Sequence, residues 1–226
     1  MSEFVSYSQE DGIATLTMDD GKANAFGPAM IAALGEGLDQ AEREAKVVIV
    51  TGRPGVFCAG FDLNIIRGDD EAAKQAMRLA GEELVLRIYL HPQPVILASS
   101  GHALAAGALL LLSGDYRLGA EGDFKTGLNE VTIGLPLPPF GLELARDRLS
   151  KAALTQATLT SRIYDPEGAV EAGYLDATAA PDALAATAKN LAQQMLALDG
   201  AAFAATKKRL RRQILDRIRE GVARLA

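Results

Sequence analysis

Apolar and polar positions along this chain follow recognisable periods, and each period predicts an element. Ile13-Ala14-Thr15-Leu16-Thr17-Met18 alternates apolar with polar or small residues, which suits a half-buried strand. Asp19-Asp20-Gly21-Lys22 follows as a turn. Pro28 opens a helix in its first turn, with Met30, Ile31, Leu34, Leu38 and Ala41 at helical spacing. Val47-Val48-Ile49-Val50-Thr51, closed by Gly52, is β-branched and reads as a buried strand. A loop with Pro54 and Gly55 leads to a short strand, Val56-Phe57-Cys58, and then to Ala59-Gly60. The acidic stretch from Gly68 to Glu71 opens a helix through about Leu90. His91-Pro92-Gln93-Pro94 ends it, because residues that precede proline avoid the α region.

The unit then recurs. Val95-Ile96-Leu97-Ala98-Ser99 is another buried strand, Gly101 follows, and an apolar helix starts near Ala105. Asp115 to Leu118 and Phe124-Lys125 read as further short strands. The result is an irregular repeat of strand, strand and helix with a period of about 40–50 residues. Gly134 to Pro139 is a rigid loop, and a helix containing Glu143 follows. After Ser150 the segments 151–161, 166–172, 182–197 and 200–225 all read as helices. The expected organisation is a mixed α/β core over residues 1–160 and a helical region over 161–226.

Composition narrows the function classes. Hydrophobic residues make up 49% of the 226 and charged residues 23%, the balance of a globular core. The net charge of -6 gives little long-range attraction to nucleic acid or to an anionic membrane, so neither partner is expected. The longest apolar run, Ala103 to Leu112, is shorter than the roughly 20 residues of a spanning helix and reads as a buried core helix. Cys58 is the single cysteine, and the opening Met1-Ser2-Glu3-Phe4 has neither a basic nor an apolar targeting pattern. A reducing cytoplasm is the expected setting. His91 and His102 lack acidic or cysteine neighbours at ligand spacing, so no metal site is expected.

Two segments suggest chemistry. In Cys58-Ala59-Gly60-Phe61-Asp62-Leu63 a strand ends and small residues let a ligand approach the main chain. In Gly101 to Ala108 small residues again follow a strand, here at a helix start, where the first N–H groups lack helical partners. Two such donors aimed at one oxygen form an oxyanion hole, each contributing ~3–4 kcal/mol to a transition state. Taken singly, either segment also reads as a tight turn or a close helix–sheet contact.

The chain resembles the crotonase, or enoyl-CoA hydratase/isomerase, superfamily. The matching pieces are Gly21 to Phe26, Val56 to Leu63, Gln93-Pro94-Val95-Ile96 leading to Gly101-His102-Ala103, Asn129 to Gly134, and Ala169 to Leu175. The resemblance implies a spiral of β-β-α turns with a C-terminal helical region that builds a homotrimer or hexamer. It implies an acyl-coenzyme A thioester as substrate, with no separate cofactor bound. It places the oxyanion donors at the Phe61 and Ala106 N–H groups, and Lys22, Ala23, Ala25, Ala59, Asp62 and Leu63 along the coenzyme A channel. Where the family has a glycine run this chain has Ala105-Ala106-Gly107, so Ala106 is expected to hold a backbone shape compatible with a Cβ.

Of the two glutamates used by hydratases in the family, one position matches Glu130 and the other matches Leu109, which cannot ionise. A lone glutamate suits isomerisation of a 3-enoyl to a 2-enoyl thioester. Glu130 then needs a raised pKa, with Ile133, Leu135 and Leu109 as candidate apolar neighbours. A hydratase with a replaced second acid and a non-catalytic acyl-CoA-binding protein remain alternatives. Asn129, where proline commonly precedes the glutamate, and the loop Pro136 to Gly141 depart from the family pattern. Glu143 reads either as a second acid or as a helix-face glutamate. The C-terminal run with Lys207, Lys208, Arg209, Arg211, Arg212, Arg217 and Arg219 also carries Leu210, Ile214, Ile218, Val222 and Leu225. It reads as an amphipathic oligomer-contact helix with a solvated basic face, or as a contact for coenzyme A phosphates.

Overall fold

The computed structural model describes the backbone of residues 3–223 and the side chains of 3–220. Met1, Ser2 and Leu225, and the Val222 side chain, lie outside that range. An antiparallel pair, β1 (Val5–Glu10) and β2 (Ile13–Met18), opens the chain. α1 (Pro28–Glu44) follows, with Pro28 in its first turn and Met30, Ile31, Leu34, Leu38 and Ala41 buried. β3 (Val47–Gly52) and β4 (Gly55–Cys58) come next, then the single turn α2 (Leu63–Ile66) and α3 (Glu71–Tyr89). The second unit is β5 (Val95–Ser99), β6 (Gly101–Leu104) and α4 (Ala106–Leu112), and every residue of α4 is buried.

The third unit is β7 (Tyr116–Ala120), β8 (Thr126–Gly127), a 3₁₀ turn (Val131–Ile133) and α5 (Pro139–Arg148). Each unit donates its first strand to one sheet and its second strand to another. The larger sheet has the order β1-β2-β3-β5-β7-β9, with β9 at Ala177–Ala179, and the smaller has the order β4-β6-β8. Apart from β1 with β2, all the pairs are parallel. The chain therefore winds as a spiral of β-β-α turns.

α6 (Lys151–Thr158), α7 (Pro166–Ala172), α8 (Leu184–Met195) and α9 (Gly200–Ala223) complete the chain. The expected division at residue 160 runs through the packed core: β9 lies beyond it and pairs with β7, while Leu184, Ala188 and Ala192 of α8 cover the outer face of the larger sheet. α9 docks through charge as well as through Ile214 and Ile218. Lys207 and Arg211 reach the Asp115 carboxylate at 2.6 and 2.9 Å, and Arg211 also donates to the Tyr89 C=O. Its guanidinium lies 4.0 Å from the centre of the Tyr89 ring. Two of the seven basic residues expected on a solvated face are thus buried inside the protomer. Among the described residues no helix is long and apolar enough to cross a membrane.

The strand expected at Phe124-Lys125 lies instead at Thr126–Gly127. Phe124 packs edge-on to His102 with ring centres 5.5 Å apart, and the ladder with Ala103 and Leu104 starts at Thr126. The strands β1, β6 and β9 and the turn α2 lack a clear sequence period. β1 buries only Val5, and β6 spans four residues.

Candidate functional site

The smaller sheet organises the site. Its strands are parallel and adjacent, so their C-terminal ends lie side by side, the usual place for a ligand beside parallel strands. Cys58 pairs with Ala103, and Leu104 pairs with Gly127. Phe61, Ala106 and Glu130 each follow within three residues of one of these strand ends. Positions separated by tens of residues in the chain are brought to one edge.

The direction of the Phe61 N–H follows from its own peptide plane. The Gly60 C=O accepts from the Phe26 N–H at 2.8 Å, within a parallel bridge between Phe26 and Phe61. A trans peptide points its N–H opposite to its C=O, so the Phe61 N–H faces away from Phe26. The Phe61 ring is held 5.8 Å from the Phe26 ring, and both sit over Gly81 of α3, where a Cβ would strike the Phe61 ring.

The same reasoning applies at α4. The Ala105 C=O accepts from the Ala108 and Leu109 N–H groups at 2.9 and 3.0 Å, pointing along the helix. The Ala106 N–H therefore points out of the helix N-terminus, where the dipole adds positive potential. Gly60 ties the two segments together. It has φ 102°, and a Cβ placed on it would lie 3.6 Å from the Ala106 nitrogen and 3.0 Å from the Ala105 Cβ. Gly107 approaches closer still, and a Cβ there would collide with the Cys58 C=O.

The backbone strain falls one residue earlier than expected. Ala105 has φ 48° and ψ -123°, a region that favours glycine, whereas Ala106 begins the helix. The Ala105 N–H donates to the Gly127 C=O at 3.0 Å, which holds the turn against β8.

Glu130 is only 7% exposed and caps the 3₁₀ turn, its C=O accepting from the Ile133 and Leu135 N–H groups. Burial pushes its carboxyl up to about 7 from an ordinary 4.5, opposed only by its own N–H. Its Oε2 is buried without a hydrogen-bond partner. Of the expected apolar neighbours, Leu109 is buried and Leu135 half-buried, while Ile133 is 49% exposed. Leu109 lies on α4 against Gly141, where a glycine Cβ would sit 3.2 Å from its methyl carbons. Glu143 pairs through Oε1 with Arg146 on its own helix, while its Oε2 is buried without a hydrogen-bond partner, 3.9 Å from the Arg217 guanidinium of α9.

The residues expected along a ligand channel divide into two groups. Lys22, Ala23, Ala59 and Leu63 are exposed, and the Ala59 N–H donates to the Ala23 C=O at 3.1 Å, so the two loops share an edge. Ala25 is half-buried. The Asp62 carboxylate caps α2, accepting from the Asn64 N–H at 2.8 Å. The residue that builds this edge is Asn24, which sequence reasoning did not single out. It has φ 49°, and its buried amide donates to the C=O groups of Met18, Val56 and Phe57. The Asp20 carboxylate completes the loop, accepting from the N–H groups of Lys22, Asn24 and Ala25. An asparagine between two alanines after an Asp-Asp-Gly turn was the available signal. Cys58 is wholly buried, and burial pushes its thiol up to about 12, away from the thiolate a nucleophile needs.

A family profile described as enoyl-CoA hydratase/isomerase matches residues 8–224. A solved enoyl-CoA hydratase/isomerase family protein from Pseudomonas syringae superposes with a TM-score of 0.95 at 41% identity, covering 98% of this chain and 96% of that one. The human mitochondrial delta3-delta2-enoyl-CoA isomerase superposes with a TM-score of 0.91 at 26% identity, covering 96% and 86%. The 1,2-epoxyphenylacetyl-CoA isomerase of Escherichia coli is 32% identical over 203 residues, 86% of this chain and 77% of its own length.

Proposed function

The chain belongs to the enoyl-CoA hydratase/isomerase family, and from that premise we propose that it isomerises 3-enoyl-coenzyme A thioesters to the conjugated 2-enoyl form. The observation that carries this reading is the strand-end edge, which combines two outward-facing N–H groups with one buried carboxylate. In this reading the thioester oxygen rests between the Phe61 and Ala106 N–H groups. The Glu130 carboxylate takes a proton from C2, and the C–H electron pair moves into a dienolate whose charge lies on that oxygen. The protonated Glu130 then returns the proton to C4, the double bond moves to C2–C3, and the thioester carbonyl reforms. No atom is gained or lost, so one acid–base group is enough. A base titrating near neutral pH suits both transfers.

Leu109 and Glu143 support isomerisation over hydration. The first cannot hold a water by hydrogen bonding, and the second is tied to Arg146 through Oε1 and lies 3.9 Å from Arg217 through Oε2. The shared edge of Ala23, Ala59 and Leu63 is the proposed path for the coenzyme A arm, with Lys22 and Ala25 beside it. Asp62 contributes there by capping α2. The same reading expects a homotrimer or hexamer, which light scattering measures directly.

The decisive assay is a panel of thioesters with product identification. Conjugated 2-enoyl-CoA forming from 3-enoyl-CoA, and lost in Glu130→Gln, is the expected result. Rapid hydration of 2-enoyl-CoA would replace this reading with a hydratase. Coenzyme A binding without turnover across the panel would replace it with a binding protein.

A further inference from the structure

The segment leading to Glu130 holds a buried group that the proposed reaction leaves unused: Thr126, four residues before Glu130, bridges to Tyr164, and the Tyr164 ring packs on Tyr174. Tyr174 follows Gly173, the left-handed residue that ends α7. Its side chain is wholly buried, yet its hydroxyl lacks a hydrogen-bond partner. The Leu128 N–H, two residues before Glu130, faces the phenolic oxygen, which leaves the hydroxyl proton without an acceptor. Burial raises the Tyr174 pKa, and the neighbouring Tyr164 and Glu130 raise it further, so the hydroxyl stays protonated and available as a donor. The Tyr164 ring lies 5.7 Å from the Tyr174 ring, and its own hydroxyl also has no partner.

These groups are complementary. The ionised Glu130 Oε2 is an acceptor without a donor, and the Tyr174 hydroxyl is a donor without an acceptor. A phenylalanine would fill the same volume without an orphaned hydroxyl, and orphaned buried polar groups are costly and uncommon. No direct bond joins the two side chains among the described residues. Buried polar groups left unpaired by the protein are commonly bridged by one ordered water.

We propose that Tyr174 is a positioning residue for Glu130, its hydroxyl donating through one bridging water to the carboxylate and holding it towards the strand-end site. The proposal rests on Glu130 being the base. A donor to the ionised carboxylate opposes the effect of burial, so losing it shifts Glu130 further upward. Few other groups contribute. The Glu130 N–H acts from its own loop, Tyr164 packs on Tyr174 from the segment before α7, and the α5 carboxylate Glu143 pairs with Arg146 through Oε1 and lies 3.9 Å from Arg217 through Oε2.

The test is a carboxyl ¹³C NMR titration of glutamate-labelled protein, with Glu130→Gln assigning the resonance. In Tyr174→Phe the Glu130 midpoint is expected to rise by about one pH unit, as for the loss of one hydrogen bond to a charged group. The limb of the kcat/KM profile moves the same way, while the thermal midpoint changes little at about pH 4, where Glu130 is protonated, and falls at about pH 8. An unchanged Glu130 midpoint in a folded Tyr174→Phe protein overturns the proposal. If that variant does not fold, wild-type protein grown with 3-fluorotyrosine decides: a more acidic phenol donates more strongly, so the midpoint must fall, and no movement overturns the proposal. Full turnover by Glu130→Gln would remove the base assignment instead, while the NMR midpoint still reads the link between Tyr174 and Glu130.

Discussion

The proposed reaction places opposite demands on Glu130 in catalysis and in stability. As the proposed base it must be ionised, so kcat/KM is expected to rise with pH through a midpoint near 7. Glu130→Gln should lower kcat by at least ~100-fold with little change in fold. For stability the sign is reversed. A carboxyl with a raised folded-state pKa contributes stability that is complete below its ordinary 4.5 and is lost as pH rises through about 7. The full loss is on the order of 3 kcal/mol. Urea midpoints at about pH 5 and about pH 8 should diverge in the wild type and draw together in Glu130→Gln. A variant that keeps the wild-type slope would assign that slope to other groups. Ala105 presents a different case at the same scale. Its φ of 48° strains a residue that carries a Cβ, so Ala105→Gly should stabilise the fold by ~1 kcal/mol after the entropy of the added glycine. Denaturant unfolding measures this, and destabilisation would mean that the methyl group packs better than the backbone suffers.

Elements meet through a few charged and close-packed contacts. Asp115 accepts from Lys207 and Arg211 of α9 and also from the Val95 N–H at 2.8 Å, so one carboxylate joins β5, the entry to β7 and the last helix. The side chains of Lys207 and Arg211 are 5% and 4% exposed. Asp115→Ala leaves two buried cations facing one another and should cost ~3–5 kcal/mol in equilibrium unfolding. A change within the ordinary surface range would mean that α9 is docked by Ile214 and Ile218 alone. At the other end of the fold, Gly107 lets α4 start against the Cys58 C=O. Gly107→Ala must push α4 away from β4, displacing the Ala106 N–H. The expected result is a loss of at least ~100-fold in kcat, the order seen for one missing oxyanion donor. Turnover near the wild-type value would remove Ala106 from the proposed oxyanion hole.

At the scale of the whole molecule, the spiral converts sequence separation into adjacency. Three units each end a short parallel strand at the same edge, and the exposed loop residues Ala23, Ala59 and Leu63 border it. Much of this was legible in the chain itself. β-branched runs predict β3 and β5, helical spacing after Pro28 predicts α1, and the all-apolar run predicts a buried α4, because these periods follow from local geometry and burial. The small residues around Phe61 and Ala106 mark places of close backbone approach for the same local reason. Family resemblance drew attention to Glu130 and Leu109. Only the tertiary structure decided the rest. Glu130 acquires its raised pKa from burial under distant segments, Lys207 and Arg211 leave the solvated face because Asp115 waits across the fold, and β9 becomes a strand because β7 offers an open edge. None of these has a local period to read, since a partner far along the chain supplies the field, the charge or the hydrogen bonds.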